Sequence, residues 1–209
     1  MLAGMALHPS PASPAAVSTV QVPPMVLRPG HPFSRSELEC MRLDGLLVNV
    51  YGPGFALPWD QVTPRHRAAA AFFSLPEQVR RKVVLGRLTA AWVYGCAPEP
   101  QKLSVLLDHR HRATSQGRYR LALIHEVTLG PLDTVTIGGV PVSTPLRTAL
   151  DVALHAPEPD AVRVLCALAQ AKSLGCRLDV IRQAIEAKPR LPGKARALER
   201  IDTALGANP

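Results

Sequence analysis

Two stretches place side chains in an order that could cut nucleic acid or hold a metal ion. Pro159-Asp160 followed by Glu186-Ala187-Lys188 has the order of a metal-dependent nuclease signature. That chemistry needs the two acids and the lysine on adjacent strands around a metal. Here both pieces fall in helical patterns, and Pro189 ends the second, so the order is read as coincidence. In Asp108-His109-Arg110-His111-Arg112 two imidazoles have one carboxylate beside them, and the cationic neighbours oppose a metal. Ser143-Thr144 has no base placed to activate a hydroxyl and reads as a helix cap, and Gly138-Gly139 reads as a turn. No G-x-S-x-G, Walker loop or H-E-x-x-H motif occurs. The sequence therefore predicts no catalytic residue, metal or cofactor. A nucleic-acid-processing enzyme with a non-standard site stands as the alternative.

What the sequence does supply is charge. Lysine and arginine number 24 against 16 acids, a net charge of +8. An excess of that size favours a polyanionic partner, most often nucleic acid. Locally it is steepest over Arg65, Arg67, Arg80, Arg81, Lys82 and Arg87, which face Glu77 alone. Hydrophobic residues make up 47% and charged residues 19%, the balance of a globular chain, and with only 4% aromatics the core must be Ala, Leu and Val. Cys40, Cys96, Cys166 and Cys176 form no C-x-x-C pair and are expected as reduced core thiols of a cytoplasmic protein. No apolar run reaches the ~18 residues that span a membrane. The first residues lack a basic region and an apolar segment ahead of their prolines, so no secretion signal is expected.

The elements that must position these charges fall into three segments. Residues 1–32 are Ala-, Ser- and Pro-rich and predict a loosely held arm. Residues 33–60 open with Ser34 and Glu37, a capping box, for a helix over Arg35–Asp44 that Gly45 ends. Leu46–Leu57 follows as two apolar runs around Tyr51-Gly52-Pro53-Gly54, a hairpin. A helix running at once into a two-stranded ribbon is the second half of a winged helix-turn-helix, whose helix enters the major groove while the ribbon touches flanking backbone. The helix is not basic, since Glu37, Glu39 and Asp44 balance Arg35 and Arg42, and the helices that normally precede it are broken by prolines. On this reading Ser34, Arg35, Ser36, Arg42 and Asn49 are the candidate DNA contacts, with Tyr51 at the wing tip.

Residues 61–209 read as a small α/β core with a helical layer. Thr63-Pro64 opens a helix over Arg65–Leu75, and Arg87–Tyr94 is a second, ended by Gly95. Gln101–Leu107 and Tyr119–His125 are strands, and Val135–Val142 is a hairpin. Thr144 caps and Pro145 starts a helix whose apolar face is Leu146, Ala149, Leu150 and Ala153. Three more helices follow over Asp160–Leu174, Leu178–Ala187 and Lys194–Leu205.

Gly86–Gly95 (GRLTAAWVYG), Gln101–Leu107, the Gly-Gly hairpin and above all Pro141–Ala153 (PVSTPLRTALDVA) together resemble the AbiEi antitoxins of type IV toxin–antitoxin pairs. The resemblance covers roughly residue 34 to the end. It implies an α+β protein with an N-terminal winged helix-turn-helix, here possibly incomplete, and an antitoxin domain over 61–209. It also implies autoregulation through promoter DNA of its own operon, and a cognate AbiEii-type nucleotidyltransferase toxin, not necessarily in a stable complex. The residues that carry the antitoxin-domain motif are Arg87, Trp92, Pro145, Arg147 and Asp151. Arg147 and Asp151 stand four apart and are placed to pair.

Overall fold

The computed structural model describes residues 26–30, 32–111 and 122–207, and of His111 only the backbone. Most of the predicted arm and the predicted strand start at Tyr119 therefore lie outside the described residues. The last part of that arm is not loose. Leu27 and Phe55 exchange both backbone hydrogen bonds, at 2.8 and 2.9 Å, and Val26 is buried.

The first helix, α1 (Arg35–Leu43), begins as its capping box requires. The Ser34 N–H donates to Glu37 Oε2 at 2.6 Å, and the Glu37 N–H donates to Ser34 Oγ at 3.2 Å. The hairpin β1 (Val48–Tyr51) and β2 (Gly54–Ala56) follows. Next come α2 (Pro64–Phe73) and a separate single turn, α3 (Glu77–Arg80), cut off by Pro76. Strand β3 (Val83–Leu85) leads into α4 (Arg87–Val93). Strands β4 (Leu103–Asp108), β5 (Ala122–Val127), β6 (Thr134–Ile137) and β7 (Val140–Ser143) complete the sheet. Helices α5 (Pro145–His155), α6 (Asp160–Gln170), α7 (Leu178–Glu186) and α8 (Lys194–Gly206) close the fold. The stretch predicted as one helix to Leu174 breaks after α6 into a 3-10 turn, Lys172–Leu174, that Gly175 ends in the left-handed region at φ 57°.

The five-stranded sheet has the order β5-β4-β3-β7-β6 and is mixed. Parallel pairs are β4–β5 and β3–β7, and antiparallel pairs are β3–β4 and β6–β7. Side chains alternate across it. Val83, Leu85, Leu103, Val105, Leu107, Val140 and Val142 enter one core with α2 and the hairpin. A second core is all helical, built from α5, α6, α7 and α8. Between the two sits α4, with Ala90, Trp92 and Val93 in the first and Ala91 in the second.

Two expectations change at this level. Tyr51, placed at the wing tip by its position in the turn, is a core residue. Its ring lies 5.4 Å from that of Trp92, because the hairpin folds down on α2 and does not stand away from it. Gly54 permits that approach: a Cβ there would come within 2.8 Å of Ala70 Cβ. The apolar face of α5 is also rotated from the predicted one. Ala149, Val152, Ala153 and Leu154 are buried with Thr148 and Asp151, while Leu146 is exposed. Two polar residues enter because each has a fixed partner: Thr148 Oγ1 meets Ser143 Oγ at 2.7 Å, and Asp151 meets Arg147. Of the cysteines, Cys40 is exposed on α1 and is not a core thiol, whereas Cys96 and Cys176 are buried.

Because Trp92 joins the hairpin to the sheet core, Trp92→Ala should lower unfolding free energy by about 3 kcal/mol in urea denaturation. A loss below about 1 kcal/mol would show that the hairpin does not depend on this contact.

Candidate functional site

The cleft with the most unusual chemistry opens where α4 begins. It has a volume of about 520 Å³ and runs from Arg87 and Leu88 past Ser104, Leu123 and His125 to Val152 and His155 of α5. Gly86 sets the geometry. Its missing Cβ leaves room for the Leu106 side chain, so β3 can turn into α4 directly over the sheet. The turn leaves Arg87 at φ 52°, the one non-glycine residue in the left-handed region among those described. That conformation costs about 1 kcal/mol or more for a side chain of this size. The Arg87 Nε is buried and has no hydrogen-bond partner, and the same holds for His125 Nε2. Burial, and then the nearby charges of Arg87 and His155, push the His125 imidazole down to about 4, so it is neutral near pH 7. His155 is pushed down by burial, then by Arg87, Arg147 and Arg196. Asp160 also lines the cleft, with its carboxylate engaged by Arg163 of its own helix.

Below the cleft lies a buried ion cluster. Arg147 Nε donates to both Asp151 oxygens at 3.1 Å, and its Nη1 donates to Asp133 Oδ2 at 2.7 Å and to the Thr128 carbonyl at 3.1 Å. One guanidinium thus ties α5 to the β5–β6 connection. Burial raises the Asp151 carboxyl above its usual range, against the opposing pull of Arg147. Pro145 serves at the first turn of α5, where Thr144 Oγ1 accepts the Arg147 N–H at 3.4 Å. Of the motif residues, Arg87 alone reaches the cleft with unused donors. Trp92 is core, Pro145 starts a helix, and Arg147 and Asp151 satisfy each other.

The candidate DNA contacts gather at a different place. Arg35, Arg42 and Asn49 line a shallow groove of about 400 Å³ between α1 and the hairpin. Arg42 is held by Glu39 at 2.6 Å, and the Asn49 amide donates to the Gly52 and Gly54 carbonyls at 3.0 and 3.1 Å. Ser34 is spent on the cap, leaving Arg35 and Ser36 exposed without a fixed partner role. Tyr51 lies beneath, in the core.

The basic run does not form one patch. Arg67 donates to the Val93 carbonyl at 3.1 Å and to the Val62 carbonyl at 3.2 Å, Arg80 lies over the Phe73 ring, and Arg81 pairs with Glu77. The nuclease-like order is dispersed too. Asp160 begins α6, while Glu186 ends α7 in a pair with Arg182 at 2.6 Å. Among the described residues no three His, Cys, Asp or Glu side chains are grouped to hold a metal. Sequence reasoning missed His125 and His155. No motif marks them, and only the pairing of β5 beside β4, with α5 packed on α4, brings them to Arg87.

These features define an α+β domain in which a mixed sheet and a helical layer meet at a cleft lined by Arg87, His125 and His155. Residues 83–203 match the AbiEi antitoxin C-terminal domain, and the chain belongs to that family. Among solved structures it is similar to the RV2827C protein from Mycobacterium tuberculosis, with 16% identity and a TM-score of 0.43. That likeness covers 81% of this chain and 64% of the other, so the chain spans less than two thirds of that protein's length. No curated protein matches. No helix among the described residues is long and apolar enough to cross a membrane.

Removing Arg147 leaves Asp151 buried and uncompensated, so Arg147→Ala should cost about 3 kcal/mol near neutral pH. A carboxyl raised on folding contributes stability at low pH and loses it as pH rises through its folded value. The deficit of Arg147→Ala should therefore shrink towards about pH 4 and grow towards about pH 7 in urea titrations. A deficit flat across that range would exclude Asp151 as its cause.

Proposed function

We propose that the chain acts without turnover as the antitoxin of a toxin–antitoxin pair, countering a nucleotidyltransferase-type toxin encoded beside it. The observation that carries this is the family match over 83–203, which takes in the whole five-stranded sheet and most of the helical layer. The toxin class follows from the resemblance of Pro141–Ala153 to the AbiEi antitoxins. Counteraction in this class does not require a tight complex, so a stable toxin–antitoxin assembly is not part of the proposal.

The α1–hairpin unit is the operator-reading part of the same proposal, as a shortened winged helix. Its support is the groove that gathers Arg35, Arg42 and Asn49, together with the net charge of +8. With Arg42 and Asn49 already bonded within the protein, Arg35 and Ser36 carry the contact, and Arg42 and Asn49 hold the surface they sit on.

Co-expression with the neighbouring toxin under separate inducers tests the first part: growth should recover only when this chain is induced. Persistent arrest with soluble antitoxin present rejects the reading. Fluorescence anisotropy against the chain's own upstream DNA and a scrambled duplex tests the second. Preference for the upstream DNA should survive physiological salt, and Arg35→Ala should weaken binding and lower the salt slope by about 1. If both duplexes lose binding together as salt rises, the α1–hairpin unit is not an operator reader.

A further inference from the structure

The cleft at the start of α4 holds side-chain nitrogens that have no hydrogen-bond partner among the described residues. Arg87 has no hydrogen bond and no ion pair among the described residues, and the carboxylate whose charge acts on it, Asp151, is engaged through both oxygens by Arg147. A guanidinium can only donate, so the partner that would satisfy it is an acceptor. His125 has an equally unpartnered, buried Nε2 in the same cleft, and His155 and Lys102 line it as well. Arginine with Lys102 on the same cleft suits an anion, two neutral imidazoles can add hydrogen bonds, and the planar fork of the guanidinium matches phosphate oxygens two at a time. The rest of the lining mixes the apolar Leu88, Leu123, Val152 and Val164 with Ser104, Gln101, Glu99 and Asp160, the last held by Arg163. No aromatic ring lines the cleft among the described residues, so a bound molecule would be anchored there by its phosphate and not by stacking.

We infer that this cleft binds a phosphate-bearing small molecule, with the phosphate on Arg87 between His125 and His155 and the rest of the ligand against Leu88 and Leu123. The backbone of Arg87 supports this independently of charge. A left-handed arginine is held in that conformation by the surrounding fold, and this one lines the cleft. The site stands whether or not the chain is an antitoxin, since it rests on unsatisfied donors and not on the family.

The test is isothermal titration of the full chain with inorganic phosphate, adenosine 5′-monophosphate, adenosine and acetate at matched ionic strength. Phosphate and the nucleotide should bind, and adenosine and acetate should not. Tighter binding of the nucleotide identifies an esterified phosphate as the ligand, and equal binding identifies free phosphate. Arg87→Gly should weaken binding at least tenfold while raising Tm, because glycine accepts φ 52° without strain. Arg87→Asn, which also tolerates that conformation, should weaken binding to a similar degree. Arg81→Gln removes the same charge from an exposed site and should leave binding unchanged. Imidazole NMR adds a readout that a structural role would not move: phosphate should raise the titration midpoint of His125 from its depressed position. No binding of either phosphate compound, equal binding by Arg87→Gly, or acetate binding as well as phosphate would each overturn the proposal.

Discussion

A seven-residue helix with no free face constrains this protein more than any other element. Helix α4 has Thr89, Ala90, Ala91, Trp92 and Val93 all buried, and it is the wall between the sheet core and the helical core. Its two alanines let α5 and the sheet approach closely from opposite sides. Its one large residue, Trp92, reaches past the sheet to Tyr51 of the hairpin. Its C-terminal end is then fastened by two polar contacts. Tyr94 donates to the Ser143 carbonyl at 2.7 Å, and Arg67 caps the Val93 carbonyl at 3.1 Å. Any change that rotates α4 therefore moves the hairpin, the β7–α5 junction and the cleft together.

The charge excess resolves into separate uses. Arg67, Arg147 and Arg200 are internal fasteners: each donates to backbone carbonyls, and Arg147 and Arg200 also pair with acids, which is how a buried guanidinium is tolerated. Arg42, Arg81, Arg163, Arg177 and Arg182 pair with acids on exposed surfaces, where such pairs are worth little to stability. Net charge alone pointed to a broad polyanion surface. The structure instead divides the arginines, and among the described residues two partly buried ones belong to neither group: Arg80, which lies over the Phe73 ring, and Arg87, which lines the cleft.

The local signals in the sequence were legible where they rest on short-range chemistry. The Ser34–Glu37 capping box, the Thr144-Pro145 helix start and the Gly138-Gly139 hairpin appear at the expected positions, because each is decided within four residues. The pairing of Arg147 with Asp151 was legible for the same reason. What sequence could not show is long-range. Tyr51 looked exposed because a turn usually is, and only the approach of Gly54 to Ala70 buries it. The face of α5 was misjudged because Leu146 is more apolar than Thr148. Hydrogen bonding to Ser143 makes Thr148 the better interior residue. The cleft was not legible at all: Arg87, His125 and His155 are far apart in the chain and meet only once β5 pairs with β4 and α5 packs on α4.

Arg87 also explains why stability alone is a poor guide to this domain. Glycine at residue 87 would relieve the backbone, just as glycine at residue 86 already permits the turn. A chain under selection only for folding would drift towards that relief, since most stabilising changes are easy to find. Keeping arginine there accepts a strained φ, a buried unsatisfied Nε and a neighbouring imidazole held neutral by burial first and then by the same charge. These costs share one location, and the last two are relieved by negative charge entering the cleft. A purely structural role would have supplied Arg87 with a carboxylate of its own, as it did for Arg147 two turns of helix away from the cleft floor. The ion cluster and the cleft thus differ in where their counter-charge comes from, one from within the fold and the other from outside it.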